Sequence, residues 1–326
     1  MALTELTEPL DLCLADGSLD ARAVGFTRRP LHRANLRGWG RTKRWEYWGC
    51  VTPDLVLGLT IANLDYAAVH QVYVFERKTG RERELAPLVP FARGVTLPDA
   101  LPPVHARAEA KGFRFDFEDV DDGTRLRVTA PGVEVELHAA RGGDCLGVVV
   151  PWSTTRFQYT VKDLARPLTG RVTLDGKVFE VRDDAWAVLD RGRGRWPYRT
   201  TWNWAAGSGR VDGRRVGLQL GGKWTAGTGS SECALFVDGR LHFLGGEPEW
   251  TYSLDDARST WRVRGERVDA TLTPFHVRQV STNALVIASA TRQAFGVWSG
   301  WAVADDGARV SVDGLVGWAE EARSRW

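Results

Sequence analysis

The chain reads as all-β. Segments that alternate apolar and polar residues recur along its length, Asp-Gly pairs punctuate them, and helical periodicity is almost absent. Strict alternation over four to eight residues marks half-buried strands.

Taken in order, Arg44-Trp45-Glu46-Tyr47-Trp48-Gly49 opens the first half as a strand with Trp45 and Tyr47 on one face. Phe113-Arg114-Phe115-Asp116-Phe117-Glu118, Arg125-Leu126-Arg127-Val128 and Val133-Glu134-Val135-Glu136-Leu137-His138 repeat the pattern. The second half opens with Arg195-Trp196-Pro197-Tyr198-Arg199-Thr200-Thr201-Trp202-Asn203-Trp204, which puts Thr200, Trp202 and Trp204 on one strand face. Asp-Gly begins at Asp16, Asp122, Asp175, Asp212, Asp238, Asp306 and Asp313, and a type I′ hairpin needs positive φ at both central residues, which this pair supplies. The best helical candidate is the end, Gly317-Trp318-Ala319-Glu320-Glu321-Ala322-Arg323, expected to make one or two turns. Short, closely spaced antiparallel strands suit either a β-barrel or a β-sandwich, and the residues leave both open.

At 326 residues the chain exceeds the usual size of one core, and two domains are expected, 1–163 and 164–326, divided near the Pro-containing segment before Pro167. Both Trp45 and Trp202 follow an Arg-rich, Gly-containing approach, consistent with a distant internal duplication. Lys and Arg number 43 against 41 Asp and Glu, so nothing global favours a polyanionic partner, and nucleic acid is not expected. Cys13, Cys50, Cys145 and Cys233 form no C-x-x-C pair, which fits a reducing compartment. An acidic N-terminus and the lack of any apolar run near the roughly 20 residues of a membrane span make a soluble, cytoplasmic protein the expectation. The 15 Trp against 1 Met imply a stiff interior, since Trp is rigid and carries an N–H that needs a partner.

The two aromatic stripes either fill a core or wall a pocket. As a pocket, the candidate ligand residues are Trp45, Tyr47, Tyr198, Trp202, Asn203 and Trp204, with Arg44 and Lys223 for an anionic group. Asp190 stands before Arg191-Gly192-Arg193-Gly194-Arg195-Trp196, and a carboxyl desolvated against Trp is suited to general acid work; the plainer reading is that it bonds its neighbouring arginines. The basic run from Arg28 to Arg44 reads chiefly as a structural surface. Gly221-Gly222-Lys223-Trp224-Thr225-Ala226-Gly227-Thr228-Gly229-Ser230-Ser231-Glu232 reads as a loop at a barrel mouth. There is no G-x-S-x-G, G-x-G-x-x-G, P-loop or H-E-x-x-H, and the six histidines are scattered, so neither a cofactor nor a metal is expected.

Through Leu31-His32-Arg33-Ala34-Asn35-Leu36-Arg37-Gly38-Trp39-Gly40, Lys43-Arg44-Trp45-Glu46-Tyr47-Trp48, Thr201-Trp202-Asn203-Trp204 and Gly317-Trp318-Ala319-Glu320-Glu321, the chain resembles the domain-of-unknown-function 2804 family over nearly its whole length. That family brings no established activity. More distantly, Asp190 through Trp204 is similar to the second-half segment of carotenoid hydratases and tocopherol cyclases, where an acid precedes Gly and a W-x-W stripe. The likeness implies two lipocalin-like β-barrels and, by motif, a polyene-protonating role for Asp190. Here Arg191-Gly192-Arg193 replaces the His-containing run associated with those enzymes, which sets the chemistry apart more than the fold.

The leading expectation is a protein of two such barrels that binds an apolar or amphipathic small molecule (a lipid, isoprenoid or polyketide) between aromatic faces. One alternative is a cofactor-free hydratase, cyclase or isomerase with Asp190 as general acid and Trp faces stabilising a developing cation. Another is a glycan-binding β-sandwich with exposed Trp platforms. Ligand identity, turnover and oligomeric state are not legible in the sequence.

Overall fold

The computed structural model describes residues 3–256, 258–284 and 287–325. Among them the chain is nearly all strand, with one short 3-10 turn at Ala21–Ala23, and no helix is long and apolar enough to cross a membrane.

The strands form two large curled antiparallel sheets. The main path of the first runs Arg81–Leu85, Ala67–Glu76, Leu55–Asn63, Thr42–Val51, Trp186–Arg195, Phe157–Leu174, Val133–Ala140, Gly123–Ala130, Phe113–Val120, His105–Ala110, Val95–Thr96. The second runs Arg240–Phe243, Ala234–Val237, Arg214–Gly222, Arg199–Val211, Val316–Arg325, Ile287–Val303, Val268–Ala284, Trp261–Gly265, Glu249–Thr251. Both halves share one plan. The first long strand pairs with the last, Thr42–Val51 with Trp186–Arg195 and Arg199–Val211 with Val316–Arg325. The ends of each path are close in sequence, Arg81–Leu85 with Val95–Thr96 and Arg240–Phe243 with Glu249–Thr251. The architecture is a pair of lipocalin-like barrels.

The division expected at 163/164 falls inside the strand Phe157–Leu174, next to its bulge between Asp163 and Arg166. The chain passes from the first sheet to the second between Arg195 and Arg199. Three of the seven Asp-Gly pairs place both residues at positive φ, at Asp175-Gly176, Asp212-Gly213 and Asp238-Gly239, each joining two adjacent strands. The expected C-terminal helix is instead the strand Val316–Arg325. Alternation decides it: Ala319 packs within the second barrel, while Trp318 packs between the barrels.

The three largest apolar clusters among the described residues organise the interior. One fills the first barrel, including Trp48, Leu57, Phe115, Phe117, Leu126 and Leu189. Another fills the second, including Leu218, Leu220, Leu235, Trp261, Leu272 and Trp298. The third joins them, with Val51, Tyr73, Val148 and Val188 of the first half against Trp204, Phe236, Phe295 and Trp318 of the second. Burying that shared apolar surface holds the barrels together. Close approach explains Gly49: a Cβ there would lie 2.3 Å from Cη2 of Trp318. All four cysteines are buried and free.

Candidate functional site

Period-two geometry gives each closing strand two different jobs. In Thr42–Val51, Trp48 and Cys50 point into the first barrel while Tyr47 packs toward the second. In Trp186–Arg195, Ala187 and Leu189 face inward and Val188 faces the second barrel. Arg191 follows the inward set, donating from Nε at 2.8 Å and Nη2 at 2.9 Å to the two carboxylate oxygens of Glu46, and Arg193 Nη2 lies 3.8 Å from the same group. This buried bidentate pair gives the Arg-Gly-Arg run a structural task inside the barrel. Gly192 lies on the other face, where a Cβ would come within 2.1 Å of Trp45 Cζ2.

The outward face carries Asp190 into the seam between the barrels, opposite Tyr47 in the strand register. Its Oδ1 accepts from Thr160 Oγ1 at 3.1 Å and lies 2.9 Å from Lys162 Nζ. Lys162 Nζ also stands 3.9 Å from Glu232 Oε1 and 4.3 Å from the centre of the Trp204 ring. Glu232 Oε2 accepts from Trp224 Nε1 at 2.6 Å, while Oε1 has no hydrogen-bond partner among the described residues. Nearby, Glu320 accepts from Trp202 Nε1 at 3.1 Å and from Gln293 Nε2 at 3.0 Å. Lys162, Asp190, Glu232 and Glu320 are all buried. Burial pushes Glu232 up to about 7, with Asp190 adding to the rise and Lys162 opposing it. Burial does the same to Glu320, which also reaches about 7 against the pull of the Trp202 hydrogen bond and Lys162. The seam therefore holds two carboxyls able to give or take a proton near neutral pH.

An aromatic cluster flanks these groups. Trp196 is its centre, with ring centroids of Trp45 at 5.5 Å, Trp152 at 5.4 Å, Trp224 at 5.4 Å and Trp202 at 5.8 Å. Lys43 Nζ lies 4.3 Å from the Trp196 centroid. The loop before Glu232 reaches the first barrel through Ser230 Oγ, which donates to the Val149 carbonyl at 2.6 Å, and through Trp152 Nε1, which donates to the Trp224 carbonyl at 2.7 Å.

The two aromatic stripes meet in this seam. Tyr47 packs edge-on against Trp204 at 5.5 Å, and Trp45 and Trp202 flank Trp196. Asn203 lies on the opposite strand face from Trp202 and Trp204 and donates from Nδ2 to Tyr252 Oη at 3.0 Å. Lys223 joins that second group, donating to Tyr252 Oη at 2.6 Å and pairing with Glu321. Arg44 is held by Thr42 Oγ1 at 2.9 Å and Asp65 at 3.3 Å. Tyr198 is exposed beneath the Arg41 guanidinium. These four are thus not gathered with the seam tryptophans. Much of the basic run is tied down, with Arg28 donating to Glu5, Arg33 pairing with Asp11 and Arg37 donating to the Ala15 carbonyl. Among the described residues no group of three or more His, Cys, Asp or Glu is arranged to hold a metal ion.

Sequence reasoning missed Lys162, Glu232 and Glu320. Lys162 lies beside the position chosen as a domain boundary, and Glu232 closes a segment read as a loop at a barrel mouth. Treating Val316–Arg325 as a strand would have put Trp318 and Glu320 on one face.

A family model described as a domain of unknown function, DUF2804, matches residues 3–326. The chain belongs to the DUF2804 family. No curated protein sequence matches this DUF2804 chain. Among solved structures it is similar to a protein of Nitrosomonas europaea assigned provisionally as ATTH, at 13% identity and a TM-score of 0.54, covering 86% of this chain and 92% of that one. It is also similar to kievitone hydratase from Nectria haematococca, at 10% identity and a TM-score of 0.50, covering 88% and 89%. At these identities the likeness is one of fold.

Proposed function

We propose that this DUF2804 protein binds an apolar or amphipathic small molecule at the seam between its barrels. The observation that supports this reading is one continuous aromatic surface drawn from both halves, Trp45 and Trp152 with Trp202 and Trp224 around Trp196, adjoining a buried amine and three carboxyls. Aromatic walls with a few convergent polar groups suit such ligands. The test is to purify the protein from its own host, denature it and identify released small molecules by mass spectrometry. A stoichiometric lipid, isoprenoid or polyketide supports the reading; a protein that releases nothing and binds no member of these classes by calorimetry overturns it. The four buried free thiols suit a reducing, cytoplasmic setting.

A second reading, turnover by acid–base chemistry, is favoured by Glu232, whose Oε1 lacks a hydrogen-bond partner among the described residues and whose carboxyl is pushed up to about 7. The reaction class is hydration, cyclisation or isomerisation of a carbon–carbon double bond: an acid gives its proton to one carbon while the Trp faces stabilise the cation that develops on the other. In hydration, water then adds to that cation and a carboxylate takes up the released proton. One structural neighbour is a hydratase by name, which adds support. Asp190 is engaged by Lys162 and Thr160, so we assign proton donation to Glu232 or Glu320 as well as to the Asp190 expected from sequence. With the released molecule as substrate, at least one of Asp190→Asn, Glu232→Gln and Glu320→Gln should keep binding and lose turnover; full activity in all three variants overturns this reading.

A further inference from the structure

At the mouth of the second barrel, away from the tryptophan seam, lies an open cavity of about 470 Å³. Its wall includes Arg292, flanked across the sheet by Gln279 on one neighbouring strand and Glu321 on the other. Glu321 is already committed. Its Oε1 accepts from Arg323 at 2.8 Å, and its Oε2 pairs with Lys223 and accepts from Tyr252. Arg292 is half-buried and, among the described residues, has neither a hydrogen bond nor an ion pair. A guanidinium held in a cavity wall without an acid is poised for an external anion, and its planar fork fits a carboxylate through two parallel N–H donors. The local charge agrees, because Arg292, Arg323 and Lys223 face one carboxylate, Glu321. Leu254, Val280 and Ala290 add aliphatic lining and no aromatic ring. The volume lies within the range of roughly 300–1,000 Å³ typical of small-molecule sites.

We infer that this cavity is a second ligand site, which takes an aliphatic carboxylate with its head group on Arg292 and its chain against Leu254, Val280 and Ala290. The site is separate from the seam and does not depend on the function proposed for it.

The test is calorimetric titration of the full chain with decanoate, decanol and inorganic phosphate, for the natural protein and for Arg292→Gln, Arg292→Lys and Trp202→Leu. Decanoate should bind the natural protein, with decanol and phosphate at least tenfold weaker. Arg292→Gln should lose at least tenfold in decanoate affinity, Arg292→Lys should fall between, and Trp202→Leu, which alters only the seam, should keep the Arg292-dependent affinity. Because Arg292 has no partner to lose among the described residues, Arg292→Gln should melt at an unchanged temperature, so a loss of binding reads on the site. No decanoate binding, phosphate binding as tight as decanoate, or decanoate binding untouched by Arg292→Gln overturns the inference. Loss in Trp202→Leu alone overturns it while supporting the seam, which separates the two readings.

Discussion

Lys162 and Glu232 come from opposite halves of the chain and meet in the seam, Nζ 3.9 Å from Oε1, with Asp190 Oδ1 2.9 Å from the same ammonium. One cation thus serves carboxyls from both barrels, and Glu320 feels it as well. Removing one member of a buried charge cluster leaves the others unpaired, which costs about 3–5 kcal/mol. Lys162→Met is therefore expected to lose stability of that order in urea unfolding, and adding Asp190→Asn should restore part of it. Equal stability of Lys162→Met and the natural protein would show that the cluster does not hold the barrels together.

The raised carboxyls set a pH dependence. Glu232 and Glu320 sit at about 7 when folded against an ordinary value of 4.5, so the folded chain holds more protons than the unfolded chain between those limits. Their stabilising contribution is complete below about pH 4.5 and is lost as pH rises through about 7. Both respond to Lys162 and Asp190, so they are expected to titrate as a coupled set. Chemical denaturation from pH 5 to 8 should show Glu232→Gln losing less stability over that interval than the natural protein. Parallel curves for the two would remove Glu232 from the account.

The class of fold was legible because β periodicity is local: Phe113–Val120, Gly123–Ala130 and Val133–Ala140 alternate along their length, and the hairpins at Asp175, Asp212 and Asp238 carry their own turn chemistry. The meeting of Trp45 and Tyr47 with Trp202 and Trp204 was legible as a shared direction, since each pair occupies one strand face. What occupies the seam with them was not. Lys162 reaches Glu232 only because the two barrels dock, and no local pattern encodes that contact. Asn203 shows the opposite error: flanked by Trp202 and Trp204 in sequence, it points to the other side of the sheet.

Gly192 supplies a test of how the seam is packed. Its missing side chain is the space that Trp45 occupies, and a Cβ would meet the indole at 2.1 Å, with Cε2 next at 2.3 Å. Gly192→Ala should force Trp45 off Trp196 and cost about 1–3 kcal/mol, the usual range for overpacking. Near-ultraviolet circular dichroism should change along with it, because the Trp45–Trp196 edge contact at 5.5 Å is lost. An unchanged spectrum with unchanged stability would mean that the ring is free to move aside.

A glycan platform would need flat indoles presented to solvent. Among the described residues Trp39 is the one exposed Trp, at 70% accessibility, between Gly38 and Gly40, both at positive φ. The seam rings are differently placed, with Trp196 and Trp224 buried and Trp45, Trp152 and Trp202 half-buried against them. Iodide should therefore quench a small fraction of the fluorescence, and Trp39→Phe should remove most of that fraction. Seam tryptophans shielded from iodide fit an enclosed apolar surface, because a quencher that reaches solvent-facing rings is kept from rings packed on one another. Quenching that persists in Trp39→Phe would place several further indoles in solvent and favour shallow surface recognition over the seam.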